Sequence, residues 1–308
     1  MSKIFEALKR TEGDLAEMTL PLVTQDQPEG SGPLVPVATA TADEISAVLQ
    51  ESGSSVMVET FTEAPAAPTG RTHQNGFRPV SIRVAVDAPI LPFEGLHSRA
   101  GEEYRMARTK IIHDPRQPRL IVISSAAPGD GKTVSSINLA GALALKSDAQ
   151  VALVDADMRR SSVAALLGIS ESPGLSDVLN GTAELKDAMV RLDQIPNLCI
   201  LPGNKGLGNP TEVLESARWT ALCETLRQQF EYVIFDAPPI GAVADYDLIQ
   251  AACDGVVLVV RPDHTNRTLF QQAVDSVPKE KLIGVLMNCV RDWLLWKRHD
   301  YYYYGASS

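Results

Sequence analysis

The segment RLIVISSAAPGDGKTVSS, residues 119–136, sets the architecture of the chain. An apolar run of strand length ends at two serines, a glycine-containing turn follows, and a helical pattern begins near Lys132. Gly129 and Gly131 permit a tight turn whose amide groups point inward, and the following helix directs its positive end at the same place. Lys132 adds a mobile cation, and the Thr133 hydroxyl is suited to a magnesium ion. The segment therefore predicts a strand, a loop for nucleoside triphosphate, and a helix.

The loop departs in one place from the strict pattern G-x-x-x-x-G-K-(S/T), because Ala126 stands where that pattern has glycine. An ordinary glycine turn is the alternative, and the strand, loop and helix context favours the phosphate loop over it. The predicted ATP contacts in this loop are Gly129, Asp130, Gly131, Lys132, Thr133 and Val134.

Apolar runs of strand length alternate with helical patterns along the rest of the chain. The runs are RLIVISS, QVALVDA, NLCILPG, EYVIFDA, DGVVLVVRP and KLIGVLMN, and the main helical patterns are KTVSSINLAGALALK, TEVLESARWTALCETLRQQ and NRTLFQQAVDSV. Strands that are apolar on both faces and alternate with helices indicate a parallel sheet covered on both sides. The sequence thus predicts an α/β fold with a doubly wound, mostly parallel sheet and a site at the carboxyl ends of its strands.

Carboxylates follow two of these predicted strands. In QVALVDADMRR the predicted strand ends with Asp155 and Asp157, and in EYVIFDAPP it ends with Asp236. An isolated D-x-D is more often a solvated loop. Here neighbouring parallel strands would deliver all three carboxylates to one edge of the sheet beside the phosphates. Oxygen ligands, used directly or through water, suit Mg²⁺.

The motifs APGDGKT, VALVDADMRR and VIFDAPP resemble the Walker A, Walker A′ and Walker B motifs of the bacterial tyrosine kinases (BY-kinases) of capsule and exopolysaccharide synthesis. That family lies within the deviant Walker group of P-loop ATPases. The resemblance extends from about Ser98 to the C-terminus, and its most specific element is the spacing of Asp155, Asp157 and Arg159. It implies a P-loop tyrosine autokinase that uses ATP and Mg²⁺ and regulates polymerisation or export of a polysaccharide.

The resemblance also implies roles for the site residues. Asp155 is expected to accept the proton of the attacking phenol, and Asp157 to align the acceptor or bind metal. Asp236 would anchor the water shell of the metal, whose predicted protein ligands are Thr133, Asp155 and Asp236. Lys132 with magnesium would stabilise charge on the transferred group. Arg261 and Asn288, at later strand ends, are expected near the base or ribose.

The chain ends in YYYYGASS, and in the resembling family a C-terminal tyrosine cluster is phosphorylated by the neighbouring subunit. The predicted acceptors are Tyr301, Tyr302, Tyr303 and Tyr304. The alternative is an aromatic packing or adhesive patch. Just before the cluster, WLLWKR at residues 293–298 either packs on the domain or touches a membrane surface.

Ahead of the phosphate loop, GEEYRMARTKII contains E-x-x-R-x-x-R as Glu102, Arg105 and Arg108. In a helix these three side chains share one face. Taken alone, they indicate a solvated charged stripe. In the resembling kinases the same motif lies at the subunit interface of a ring, and that interface is the expectation here.

Composition divides the chain into four predicted parts. Residues 1–20 form an amphipathic helix, 21–77 a flexible linker rich in Pro, Ala, Thr, Ser and Gly, 78–290 the kinase domain, and 291–308 the tyrosine-rich tail. A formal net charge of -10 argues against nucleic acid as a partner. Cysteines are expected as reduced core residues.

Neither a signal peptide nor a membrane span is evident, so the chain is expected in the cytoplasm. By resemblance, its predicted partners are further copies of itself, a membrane-embedded polysaccharide co-polymerase that activates and recruits it to the inner face of the membrane, and a cognate tyrosine phosphatase.

Two other functions stay open at this point. One is a positioning or partitioning switch ATPase of the same fold, although the signature lysine of its K-G-G-x-G-K loop is replaced by Ala127. The other is a regulator that binds ATP without catalysis.

Overall fold

The computed structural model describes residues 76–84, 90, 99–146, 149–204 and 209–289. These ranges include the whole phosphate loop and every strand predicted from the sequence. The expectations for the helix at 1–20, for the linker up to residue 75 and for the tail at 291–308 with its tyrosines lie outside them.

The six apolar runs form six strands of one eight-stranded sheet, and two short strands complete it. The strands are β1 (Arg78–Val80), β2 (Leu120–Ser125), β3 (Val151–Asp155), β4 (Val190–Leu192), β5 (Leu198–Leu201), β6 (Tyr232–Asp236), β7 (Gly255–Val260) and β8 (Leu282–Met287). Their order across the sheet is β1-β4-β5-β3-β6-β2-β7-β8, and every neighbouring pair is parallel except β4 with β5. The predicted doubly wound, mostly parallel α/β fold is confirmed.

The central strands are continuous apolar runs because both of their faces are covered. In β2, Leu120 and Val122 join a core cluster on one face of the sheet, while Ile121 and Ile123 join a second cluster on the other. All six residues of β2 are buried. Alternate side chains thus enter two separate layers, as a doubly wound sheet requires.

Helices cover both faces of the sheet. In chain order they are α1 (Arg99–Ile112), α2 (Lys132–Ala144), α3 (Val163–Leu167), α4 (Leu175–Asn180), α5 (Leu185–Ala188), α6 (Pro210–Leu214), α7 (Ala217–Gln229), α8 (Asp245–Ala252) and α9 (Arg267–Ser276). None of these described helices has the length and apolar content needed to cross a bilayer.

Three features differ from the sequence-based expectations. The pattern TEVLESARWTALCETLRQQ forms two helices, because α6 ends before Glu215 and α7 begins at Ala217. The strands β1 and β4 have no counterpart among the predicted runs, since three residues are too short to show a periodicity. Of the four cysteines, Cys289 is exposed, whereas the other three are buried as expected.

Candidate active site

The predicted carboxylates come together because their strands are neighbours in the sheet. β3 pairs with β6, and β6 pairs with β2, which leads into the phosphate loop. Asp155 and Asp236 are directly paired in the β3–β6 register. The carboxyl ends of three adjacent strands therefore meet the loop at one edge of the sheet, as the sequence predicted.

The loop itself requires glycine at two positions. Gly129 and Gly131 have φ of 89° and 87°, in the region that other residues rarely adopt. A Cβ on Gly131 would lie 1.9 Å from the side-chain nitrogen of Asn288, so the segment after β8 packs directly against the loop. Helix α2 begins at the next residue, Lys132, and presents its unpaired amide groups to the loop.

Asp130 is fully buried and holds the loop from within. Its carboxylate accepts hydrogen bonds from the Ala127 amide at 3.0 Å and from the Thr265 hydroxyl at 2.7 Å, and it lies 3.1 Å from His264 Nδ1. The Asn288 side chain donates to the Asp130 carbonyl at 2.9 Å. The segments after β7 and β8 thus clamp the phosphate loop in its conformation.

The Lys132 ammonium lies among the carboxylates. Its Nζ is 2.9 Å from Asp157 Oδ2 and 3.4 Å from both carboxylate oxygens of Asp236. The side chain is 13% exposed, so solvent screens these charges little. Burial lowers the pKa of Lys132, but the carboxylates of Asp236, Asp157 and Asp155 outweigh that effect and raise it. Lys132 is therefore a fixed positive charge at the end of the loop.

Asp236 is fully buried and accepts hydrogen bonds from the loop helix. Thr133 Oγ1 donates to Oδ2 at 2.7 Å, and Ser136 Oγ donates to Oδ1 at 3.0 Å. Burial raises the pKa of Asp236 above its ordinary value, and the nearby Lys132 and these hydroxyls oppose that rise. Strand β6 and helix α2 are thereby joined at the site.

Asp155 differs from Asp236 because one of its oxygens has no partner. Oδ2 accepts from the amides of Ser162 at 2.9 Å and Val163 at 3.0 Å, whereas the buried Oδ1 has no hydrogen-bond partner among the described residues. Burial, followed by the charge of Asp236, raises the pKa of Asp155 to about 7. This carboxyl group can exchange a proton near neutral pH.

Three residues that were not predicted from the sequence complete the site. Ser136 follows Lys132 by one helical turn, and that spacing was a usable signal. Ser162 contacts Thr133 through its hydroxyl at 3.3 Å, in addition to its amide bond to Asp155. A Cβ on Gly203 would lie 2.9 Å from the Asp155 carboxyl carbon. Nothing in the local sequence indicated Ser162 or Gly203, because β5 brings Gly203 to the site from a distant part of the chain.

The remaining predicted residues lie on α2, after β7 and on α1. Val134 is partly buried in the first turn of α2. The Arg261 amide donates to Thr265 Oγ1 at 3.0 Å, and Thr265 is one of the residues that bind Asp130 of the loop. In α1, Arg105 forms an ion pair with Glu102, and Arg108 donates to the Ala142 carbonyl at 3.2 Å.

The residues present fit a magnesium nucleotide. The fit rests on the two positive-φ glycines of the loop, on the Thr133 hydroxyl at a helix start, and on the partnerless oxygen of buried Asp155. Oxygen atoms of this kind are the ligands that Mg²⁺ takes beside phosphates. Thr133 donates a hydrogen bond to Asp236 and accepts one from the Ser162 hydroxyl. The Ser162 amide in turn binds Asp155, so both carboxylates lie near Thr133.

Fold and site together define a nucleotide-binding P-loop protein, in which a parallel sheet presents a phosphate loop and strand-end carboxylates. A family model described as an AAA domain matches residues 118–279. This range holds the sheet from β2 to β7 and every carboxylate of the site.

Named relatives refine that class. The chain is 33% identical over 195 residues to the tyrosine-protein kinase CpsD of Streptococcus agalactiae, covering 62% of this chain and 84% of the relative. It is 34% identical over 209 residues to the tyrosine-protein kinase YwqD of Bacillus subtilis, covering 67% and 86%. The solved kinase domain of the Escherichia coli tyrosine kinase ETK superposes with a TM-score of 0.59 at 26% identity, over 65% of this chain and 79% of that one. The chain belongs to the bacterial tyrosine kinase family, and the resemblance of its motifs to that family is confirmed.

Proposed function

We propose that this kinase phosphorylates Tyr301, Tyr302, Tyr303 and Tyr304 of a neighbouring copy, with ATP as phosphoryl donor and Mg²⁺ as cofactor. The observation that carries the proposal is the position of Lys132, whose ammonium lies 2.9 Å from Asp157 and 3.4 Å from Asp236 at the end of a phosphate loop. A fixed cation and carboxylates beside a phosphate loop are what phosphoryl transfer needs, because catalysis of that step is chiefly positioning and charge stabilisation.

Asp155 is the proposed base. A tyrosine phenol has an ordinary pKa near 10, so a protein group must accept its proton as it attacks. The oxygen–phosphorus bond to tyrosine forms, the bond from the γ-phosphorus to the ADP oxygen breaks, and the phenol proton moves to Asp155. The partnerless Oδ1 and a pKa raised to about 7 support this role. Asp157, which contacts Lys132, aligns the acceptor or binds metal.

Thr133, Asp155 and Asp236 are the proposed residues that hold magnesium, directly or through its waters. Magnesium held there would neutralise charge on the phosphates. Lys132 stabilises the transferred group, and the clamp of Asp130, Asn288 and Thr265 keeps the loop in shape for it. We further propose that Arg261 and Asn288 border the base or ribose.

Phosphoryl transfer from one copy to another is compatible with acceptors that lie together in one tyrosine cluster. A segment with four tyrosine hydroxyl groups offers several chances of productive approach to the site of another chain. We propose a ring-like assembly in which Glu102, Arg105 and Arg108 of α1 line the contact between subunits. Phosphate adds about −1.5 to −2 charges per tyrosine near neutral pH, so filled tails would repel one another and loosen the ring.

Membership of the family supports a proposal for the biological role. We propose that cycles of phosphorylation and removal by a tyrosine phosphatase control synthesis or export of an exopolysaccharide or capsule. A membrane-embedded co-polymerase would activate the kinase and recruit it from the cytoplasm to the inner face of the cell membrane.

Intact-mass spectrometry of the full chain with ATP and magnesium tests the proposal. The parent is compared with Lys132→Met and with a chain that ends at Asp300, and a candidate membrane activator is included in a parallel sample. Successive phosphate additions in the parent that vanish in both variants are the expected result. Additions that persist after removal of the tail would place the acceptors elsewhere.

Two further outcomes would overturn the proposal. ATP hydrolysis without phosphate addition would indicate a switch ATPase of the same fold. Nucleotide binding with neither activity would indicate a non-catalytic regulator.

A further inference from the structure

Arg159 belongs to the Walker A′ motif. Its side chain contacts a part of the fold other than the one that Asp155 and Asp157 contact. Its guanidinium donates to both oxygens of Asp245, from Nε to Oδ2 at 2.7 Å and from Nη2 to Oδ1 at 3.1 Å. Asp245 is the first residue of α8 and is 2% exposed. This fork-to-fork pairing fixes orientation as well as distance.

Thr211, in the first turn of α6, completes the network. Its hydroxyl donates to Asp245 Oδ1 at 2.6 Å and accepts from Arg159 Nη2 at 3.1 Å. Burial raises the pKa of Asp245, but the bonds from Arg159 and Thr211 outweigh that effect and hold it below its ordinary value. Asp245 is therefore a buried carboxylate that is charged because these two side chains satisfy it.

The network anchors the loop that carries the catalytic carboxylates. Asp157 precedes Arg159 by two residues, and its own carboxylate accepts from the Arg160 amide at 3.1 Å. At the far end of the loop, the amides of Ser162 and Val163 bind Asp155. Arg159 is the point at which the middle of this loop is tied to helices from elsewhere in the chain.

We propose that Arg159 and Asp245 are positioning residues for phosphoryl transfer. Their ion pair, supported by Thr211, fixes the conformation of the Walker A′ loop. This maintains the ion pair between Asp157 and Lys132 and the position of the partnerless oxygen of Asp155. The pair also joins α8, the helix that follows Asp236, to the loop that follows Asp155. It therefore fixes the carboxyl ends of β3 and β6 relative to each other. Insofar as it concerns phosphoryl transfer to tyrosine, the inference rests on the proposed function.

The test compares Arg159→Gln, Asp245→Asn and the double variant in the full chain. We expect kcat for phosphorylation to fall about tenfold or more in each single variant, with the nucleotide dissociation constant changed less than about threefold. The double variant should lose no more than the worse single variant, because the two residues act as one unit. Thr211→Val, which keeps the shape and removes the hydroxyl, should show a smaller loss of kcat in the same direction and covers the case in which the other variants fold poorly.

The chain offers a matched control at the opposite edge of the sheet. Arg227 forms a two-bonded pair with Asp254, at 2.9 Å and 2.7 Å, beside the start of β2 and far along the strands from the phosphate loop. Arg227→Gln should lower the melting temperature while leaving kcat of the folded protein within about twofold of the parent.

A second measurement does not depend on activity. Hydrogen–deuterium exchange of the peptide spanning residues 156–163 should become about tenfold faster or more in Asp245→Asn and stay unchanged in Arg227→Gln. Unchanged exchange, a kcat within about threefold of the parent, or a loss of nucleotide affinity as large as the loss of kcat would each overturn the inference. If the parent hydrolyses ATP without phosphorylating tyrosine, the proposed function fails and hydrolysis supplies the kcat for the same comparison. If the parent shows neither activity, the exchange experiment decides.

Discussion

Asp155 and Asp236 are directly paired residues on the neighbouring parallel strands β3 and β6, so two buried carboxyl groups end adjacent strands. Each is desolvated, and the charge of Asp236 further disfavours ionisation of Asp155. The pair stores unfavourable electrostatic energy at the site, and Lys132 offsets part of it.

The contribution of Asp155 to stability should therefore fall as pH rises through the range in which this group ionises. The folded pKa of Asp155 is raised from 3.8 to about 7, so between these values the folded state binds more protons than the unfolded state. Compared with acidic pH, the contribution of Asp155 to the free energy of folding is least favourable at neutral pH and above, by an amount on the order of 4 kcal/mol. Asp155→Asn, whose amide oxygen can accept the Ser162 and Val163 bonds, should raise the melting temperature at pH 8 and have little effect at pH 4.

Asp254→Asn is the control for that measurement, because its sign is opposite. Burial raises the pKa of Asp254, but bonds from Arg227 and the Leu120 amide outweigh it and lower the pKa. Its contribution is fully present above the ordinary pKa of 3.8 and is lost only as pH falls below that value, so the variant should be destabilised by about the same amount from pH 4 to 8. Melting curves of metal-free and nucleotide-free protein from pH 4 to 8 decide, and an equal effect of Asp155→Asn at all pH values would contradict the prediction.

Gly131→Ala should destabilise the protein and weaken nucleotide binding. An alanine at this position would have to adopt a φ of 87°. Its Cβ would lie 1.9 Å from Asn288 Nδ2, so the hydrogen bond from Asn288 to the loop must break. Gly241→Ala is the matched control, since its φ is 72° and its new Cβ would have no neighbour within 4 Å among the described residues. Conformation alone costs about 1–2 kcal/mol, and the lost clamp bond should add about 1–3 kcal/mol to Gly131→Ala. Chemical denaturation and nucleotide titration measure both effects, and equal losses in the two variants would refute the clamp.

Ser136→Ala removes a buried hydroxyl that donates to Asp236 Oδ1 at 3.0 Å. We expect the free energy of unfolding to fall by about 1–3 kcal/mol, because Asp236 Oδ1 loses its shorter hydrogen bond and keeps only the 3.4 Å contact with Lys132 Nζ. Ser276→Ala, at the end of α9, is the control, since its hydroxyl bonds a helix carbonyl away from the site. Nucleotide affinity should fall in Ser136→Ala and stay unchanged in the control. A variant of Ser136 with parental affinity and stability would show that the bond does not support the site.

Arg105→Glu should reduce the mass of the assembly if α1 lines the proposed ring contact. Arg105 is the sharper site for this test, because Arg108 also binds the Ala142 carbonyl within the same chain and its loss would disturb the fold. The double variant with Arg108→Glu should reduce the mass further. Lys110→Glu is the matched control, as Lys110 is exposed on the same helix and changes charge equally. Multi-angle light scattering gives the mass, and an unchanged value in Arg105→Glu would exclude this contact.

Much of the fold and site could be predicted from the sequence because the signals are local. β2, β3 and β6 are apolar on both faces, and each ends in the polar residues that its motif requires. The same locality explains why Lys132 and Thr133 could be placed on the first turn of a helix. Short strands such as β1 gave no signal, since pairing with β4, not periodicity, makes Arg78–Val80 a strand.

Local patterns in the chain were enough to specify the layered sheet, the phosphate loop and the three strand-end carboxylates, because hydrophobic pattern and motif spacing act over a few residues. Which groups satisfy those carboxylates depends instead on the folded arrangement. The order β3-β6-β2 pairs Asp155 with Asp236, the segments after β7 and β8 clamp Asp130, and α8 brings Asp245 to Arg159. These partners are distant along the chain and are chosen by how strands and helices cross, and that choice fixes the charge and protonation of the site.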